Sequence, residues 1–259
     1  MASDRVRIAY QVRGDGPPLV LLAGQANDHH WWDGVRNDFA GSRSTVTIDY
    51  RGTGQSDKPN LPYSIARFAD DVVAVLDALS LERVDVYGTS MGGRVAQRLA
   101  IGHSRRVRAL VLGCTSAGGR HAVDRGDSVR RDLFQPDPVK ARQALLELMY
   151  SPAWLATHSG PCHVLGDRSM PVHARRGHLV ASDEHDAWDA LPGIAAPTLV
   201  LHGTDDLLAP AANASLLAAR IPGSRLEWIQ GARHAYFEEC RDIAGPLVLE
   251  FLDQKVPRT

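Results

Sequence analysis

Several things are scarce in this 259-residue chain, and each scarcity closes off a class of answer. There are three cysteines, Cys114, Cys162 and Cys240, an odd number set far apart. They make no disulfide framework and have no metal-ligand spacing, so structural thiols in a reducing compartment are expected. Lysine occurs only at Lys58, Lys140 and Lys255, which leaves nearly all positive charge to arginine. Long apolar runs are missing: nothing approaches the ~18 consecutive residues of a membrane span. The opening segment MASDRVRIAY has no apolar stretch of the secretory kind, so a cytoplasmic protein is expected. A charge excess of either sign is missing too. With 29 Lys and Arg against 30 Asp and Glu, the formal net charge is −1. That argues against a nucleic acid or an anionic membrane as the partner.

What is present is an alternation of short apolar runs and amphipathic stretches, the pattern of a mostly parallel sheet flanked by helices. Strands are expected over residues 6–12, 17–23, 45–49, 84–87, 107–112, 197–202 and 225–229, a sheet of about seven to eight strands. Helical periodicity marks residues 64–79, 94–101, 210–220 and 243–252. The rhythm breaks over residues 117–186, a segment rich in Arg, His, Asp and Pro. It is too long for an ordinary loop, so a helical cap is expected there, inserted in a core made of residues 1–116 and 187–259. Phe134, Leu145, Leu146, Leu148, Tyr150 and Trp154 give that cap something to bury.

Residues 88–92 read Gly-Thr-Ser-Met-Gly, directly after VDVY and directly before a helix. A strand, a sharp turn and a helix are the setting of a nucleophile elbow, with Ser90 at its tip. The flanking glycines fit a turn too tight for Cβ atoms. A serine hydroxyl needs a base, and in this arrangement an acid and then a histidine follow in chain order. The acid is expected in PTLVLHGTDDLLAP, where the spacing from Gly203 to Pro210 points to Asp206, with Asp205 as the alternative. The base is expected at His234, in the loop after the last strand. Backbone N–H groups of Met91 and Gln25 are the expected oxyanion donors.

The segments LVLLAGQANDHHWW, IDYRGTGQSDKP, YGTSMGGRVAQRLA, RVRALVLG, PTLVLHGTDDLLAP and GARHAYFEE together resemble the α/β-hydrolase superfamily. The resemblance is to its capped branch of esterases, enol-lactonases, cofactor-free haloperoxidases and carbon–carbon bond hydrolases. It implies hydrolysis of a carboxylic ester, lactone or thioester of a small, mostly apolar molecule through an acyl-enzyme, with no cofactor and no metal. A carbon–carbon bond hydrolase with the same three residues is the alternative enzyme, and a ligand-binding protein on this fold the alternative of another class. Epoxide hydrolases and haloalkane dehalogenases share the fold but place aspartate where this chain has Ser90. Two positions depart from the family pattern: Ala23 stands where His is common before Gly24, and Arg233 where Gly is common before His234.

Other features have plainer readings. The cap histidines His121, His158, His163, His173, His178 and His185 lack helical metal-ligand spacing and are expected to be solvated. Trp31 and Trp32 suit either the pocket or the packing of the first helix. The glycine-rich loop 51–56 lacks the Gly-Lys-Ser/Thr of a phosphate cradle and reads as a bracing loop. Oligomeric state, a homo-oligomer included, stays open.

Overall fold

The computed structural model describes residues 4–160 and 162–254. At its centre is one sheet of seven strands: β1 (Tyr10–Arg13), β2 (Pro18–Leu22), β3 (Ser44–Ile48), β4 (Val84–Thr89), β5 (Val107–Gly113), β6 (Thr198–Gly203) and β7 (Arg225–Ile229). Their spatial order is β1-β3-β2-β4-β5-β6-β7. β1 pairs with β3 antiparallel, and every other pairing is parallel. Parallel strands covered on both faces need apolar side chains on both, which is why residues 19–22 and 109–112 are continuous buried apolar runs.

The helices follow from periodicity and capping. α1 (Arg36–Ala40) is a single short turn after β2. In α2 (Ile65–Ala78), Ile65, Phe68, Val72, Val75 and Leu76 recur at helical spacing and are buried. Ser64 caps it, its side-chain oxygen accepting from the Arg67 N–H at 3.2 Å. α3 (Met91–Gly102) springs directly from β4.

The first expected strand is shorter than its apolar pattern. Residues 6–9 bond to the loop at 49–57 instead of to a strand: Ala9 N–H donates to Ser56 Oγ at 2.8 Å, and Asp57 N–H to the Arg7 carbonyl at 3.0 Å. The ladder begins only at Tyr10. The loop is braced as expected, with Arg51 fully buried between Asp71 and Asp4.

Among the described residues four α-helices lie between β5 and β6, α4 (Asp127–Leu133), α5 (Pro138–Met149), α6 (Pro152–Thr157) and α7 (Val172–Asp183). The ends of this segment are stitched together: Ala187 N–H donates to Ala117 O and Gly119 N–H to His185 O, both at 2.9 Å. α5 starts where Asp137 accepts from Val139 and Lys140 N–H and Pro138 fills the first turn. Tyr150 and Leu148 are buried, and Leu145, Leu146 and Trp154 are partly so. Phe134, expected inside, is 69% exposed because it follows the last turn of the short α4 and faces the cleft described below. Two histidines of this segment also differ from expectation. His178 and His185 are buried, since the face of the segment that carries them is pressed onto the core. The chain then completes the sheet and adds α8 (Ala212–Arg220), α9 (Tyr236–Glu239) and α10 (Arg241–Gln254). Among the described residues no helix is long and apolar enough to cross a membrane.

Candidate active site

Ser90 sits between the last residue of β4 and the first of α3 with φ 56° and ψ −124°. Such a backbone costs of order 1–3 kcal/mol for a residue with a Cβ and persists only where its surroundings force it. They do so here. Ser90 N–H donates to Gly113 O at 2.9 Å, and its carbonyl accepts from Thr115 Oγ1 at 2.7 Å, so both peptide groups are anchored on the chain leaving β5. The turn has no room for side chains beside the serine. A Cβ on Gly88 would stand 2.2 Å from Gly92 O, and one on Gly92 would stand 2.2 Å from Leu22 O.

His234 follows β7 and is buried. Its Nδ1 lies 2.7 Å from Asp206 Oδ2, while its buried Nε2 has no hydrogen-bond partner among the described residues. A carboxylate accepts only, so Nδ1 carries a proton, and in the neutral ring Nε2 is the acceptor. Asp206 Oδ1 accepts from Leu208 N–H at 2.9 Å and Ala209 N–H at 2.8 Å. Burial alone would raise this carboxyl. The imidazoles of His234 and His202 overcome that and hold it well below the usual carboxylate range. Asp205, the alternative acid, turns away and accepts from the neighbouring Thr204 hydroxyl.

Ser90, His234, Gln25 and Met91 line one cleft of about 1250 Å³, roofed by the segment between β5 and β6. Met91 is the first residue of α3, so its N–H is one of the four that a helix N-terminus leaves free. Gln25 lies in the loop after β2. That loop is held by groups no motif announced. Ala26, at φ 58°, donates its N–H to His178 Nδ1 at 3.3 Å. The Asn27 side chain donates to Gln25 O at 2.9 Å and accepts from Gly166 N–H at 2.8 Å. Asp167 N–H donates to Ala26 O at 2.7 Å. The segment between β5 and β6 thus braces the loop after β2, where Ala23 stands before Gly24.

His202 is the other residue without a sequence signal. It is fully buried, bonded through Nε2 to Ala209 O at 2.8 Å and 3.3 Å from Asp206 Oδ2. Only its place four residues before Asp206 hints at the contact. The two tryptophans divide the roles open to them. Trp31 lines the cleft with its Nε1 on Thr89 Oγ1, and Trp32 is buried against Tyr87 and Phe237. Arg233 reaches sideways to the Glu147 carbonyl, tying the loop that carries His234 to α5.

One group among the described residues brings three donor atoms within 4.8 Å, Asp28, His29 and His30. Two of its imidazoles are already bonded to carboxylates, His29 to Asp49 at 2.8 Å and His30 to Asp33 at 2.6 Å, and none of the three lines the Ser90 cleft.

Comparison with known proteins agrees with this architecture. The family model described as alpha/beta hydrolase fold matches residues 17–138. The 2-hydroxymuconate semialdehyde hydrolase of Pseudomonas sp. (strain CF600) is 32% identical over 244 residues, covering 88% of this chain and 81% of that protein. A solved structure of a hydrolase from Pseudomonas aeruginosa PA01 is 31% identical with a TM-score of 0.84, covering 97% of this chain and 96% of that one. Est816, described as an N-acyl homoserine lactone degrading enzyme, is 32% identical with a TM-score of 0.81, covering 96% and 98%. With a strand–turn–helix elbow, a seven-stranded sheet and relatives of this likeness, the chain belongs to the alpha/beta hydrolase fold family.

Proposed function

We propose that the protein is a serine hydrolase of a small carboxylic ester, lactone or thioester. The observation that carries this reading is the state of His234, whose Nδ1 is fixed by Asp206 while its Nε2 is buried, unpartnered and at the wall of the cleft that holds Ser90. A buried acceptor without a donor costs free energy, of order 1–3 kcal/mol, and a hydroxyl proton relieves it.

In this scheme Ser90 attacks the carbonyl carbon and its proton passes to His234 Nε2. Asp206 holds the tautomer and stabilises the imidazolium. The N–H groups of Met91 and Gln25 donate to the developing oxyanion. Collapse of the intermediate expels the alcohol, which takes the proton from His234, and leaves an acyl-enzyme. Water, deprotonated by His234, then releases the acid. The segment 117–186 acts as the cap, and Trp31, Leu145, Met149, Val164, Leu165 and Leu208 give the cleft an apolar lining for the body of the substrate. The partner is a small molecule in the cytoplasm, with no nucleic acid, membrane, metal or organic cofactor in the scheme.

The test is hydrolysis of p-nitrophenyl acetate, butyrate and octanoate by wild type and Ser90→Ala, with mass spectrometry after a fluorophosphonate probe. Turnover with an adduct on Ser90, both lost in the variant, is the expected result. No turnover and no adduct overturns it in favour of a binding protein. The likeness to a 2-hydroxymuconate semialdehyde hydrolase favours one second reading, carbon–carbon bond hydrolysis by the same residues. Turnover of a vinylogous diketone well above that of the esters would select it.

A further inference from the structure

The chain as a whole is balanced in charge, but the cleft is not. Seven arginines line it against three aspartates, with no lysine or glutamate, an excess of four positive charges in a protein of formal charge −1. Even those aspartates are partly spoken for. Asp124 pairs with Arg130 at 2.8 Å, and Asp167 accepts from the N–H groups of Gly54 and Ser169. Among the described residues, Arg130 is the one lining arginine with a carboxylate within 4.0 Å.

Two of these arginines are half-buried rather than spread over the rim. Arg94, one turn into α3 from Ser90, donates to Ser182 O at 2.5 Å and Ser116 Oγ at 3.1 Å, both neutral acceptors that make no ion pair with it. Arg125 has no hydrogen-bond or ion-pair partner for its guanidinium among the described residues. Its backbone is nonetheless held firmly. Two residues earlier, Val123 gives its N–H to Asn213 Oδ1 and takes Asn213 Nδ2 on its carbonyl, both at 2.8 Å, and Asn213 is itself buried. A half-buried cation with no ion pair or hydrogen bond of its own is costly unless something else supplies a partner. Burial, and after it the neighbouring Arg130, lowers the Arg125 pKa; burial, and after it Arg125, pulls Arg94 down to about 10, and the smaller opposing pull of Asp183 and Asp124 on both does not offset this. The two guanidiniums repel each other across the space beside the nucleophile.

We propose that Arg125, backed by Arg94, forms an anion subsite in the wall of the Ser90 cleft, and that the substrate is an ester or lactone carrying a free carboxylate. This rests on the hydrolase reading above and narrows it. The guanidinium fork of Arg125 matches the two oxygens of one carboxylate. Asp124 and Asp183 stand in the same wall, which suits a single negative charge better than a phosphate dianion. The apolar lining takes the carbon chain between the two ends.

The experiment compares matched esters that differ in one charge. Mono-p-nitrophenyl adipate is set against its methyl ester, and 4-carboxyphenyl butyrate against its methyl ester, so that the charge lies on the acyl side in one pair and the alcohol side in the other. Wild type should favour the acid in one pair by at least tenfold in kcat/KM, chiefly through KM. Arg125→Gln should bring that ratio close to one, and Arg125→Lys should keep most of it. A wild-type ratio near one in both pairs, or a ratio that Arg125→Gln leaves unchanged, overturns the proposal. Failure of the hydrolase reading looks different: neither ester of a pair turns over and no fluorophosphonate adduct forms. Calorimetric titration of adipate and 4-hydroxybenzoate into Ser90→Ala, with and without Arg125→Gln, then reads the subsite without chemistry. Binding lost with Arg125 supports it, and no binding overturns it.

Discussion

His178 Nδ1 accepts a hydrogen bond from the Ala26 N–H at 3.3 Å while its Nε2 donates to the Arg51 carbonyl at 2.9 Å. One imidazole on α7 thereby bridges the loop after β2 and the loop after β3. Both its bonds need the neutral ring protonated at Nε2. Because the next residue back is Gln25, this brace fixes the direction of a proposed oxyanion donor without touching substrate. Replacing His178 with Ala should lower kcat by on the order of 10- to 100-fold with KM little changed, since small displacements of a donor are expensive in rate. Rates are normalised to active sites counted by fluorophosphonate labelling. A purely structural role would leave the rate per labelled site at the wild-type value.

Acid should destabilise the protein in a defined window. Burial lowers the His178 pKa to about 4, and burial with the charges of Arg94 and Arg98 lowers His185 to about 3. In the unfolded chain both titrate near ~6.5. Below that pH the unfolded state binds more protons than the folded one, so stability falls as pH drops. Each histidine contributes a slope of about 1.4 kcal/mol per pH unit until its folded pKa is reached, and none above ~6.5. Urea unfolding at pH 7, 6 and 5 measures the slope, and His178→Gln should reduce it by one proton.

The two consecutive aspartates should separate cleanly. Asp206→Asn removes the charge facing His234 and offers Nδ1 a donor that can reverse the tautomer, so kcat should fall roughly 10³- to 10⁴-fold. Asp205 is exposed and bonds Thr204, and Asp205→Asn should stay within about twofold of wild type, as expected of a surface site. Ester kinetics on the pair checks the assignment. Equal losses would mean that Asp206 is not the acid.

Backbone crowding at the elbow sets a further expectation. Gly92→Ala places a Cβ 2.2 Å from a carbonyl oxygen of β2 that cannot yield, and should cost more than about 3 kcal/mol or abolish folding. Gly102→Ala, at the last position of the same helix with nothing within 4 Å, should be neutral or stabilise by up to about 1 kcal/mol. Thermal melts of the two variants test the contrast.

Much of the architecture was legible from local pattern, because parallel strands and amphipathic helices impose periods on the side chains that cover them. The run at 198–203 and the spacing of Phe68, Val72 and Val75 state their structure without help from the rest of the chain. Pattern misled where local sequence and long-range bonding compete. Residues 6–9 alternate like a strand, but Ser56 and Asp57 take their backbone groups first. Phe134 is apolar enough for a core, yet it follows a helix too short to carry it under cover.

What the sequence determined by itself is the placement of three residues: Ser90 between a strand and a helix, Asp206 after a later strand, His234 after the last. Those signals are local, written in glycines that a tight turn requires and in polar residues at strand ends. What only the tertiary structure decided is everything that joins the insertion to the core. That His178 braces Ala26, that His202 stands against Asp206, and that Arg125 lines the Ser90 cleft are relations between elements that no motif links. A histidine or arginine has the same letter in solvent as in a cleft. Packing alone determines which of them loses its water and must find another partner.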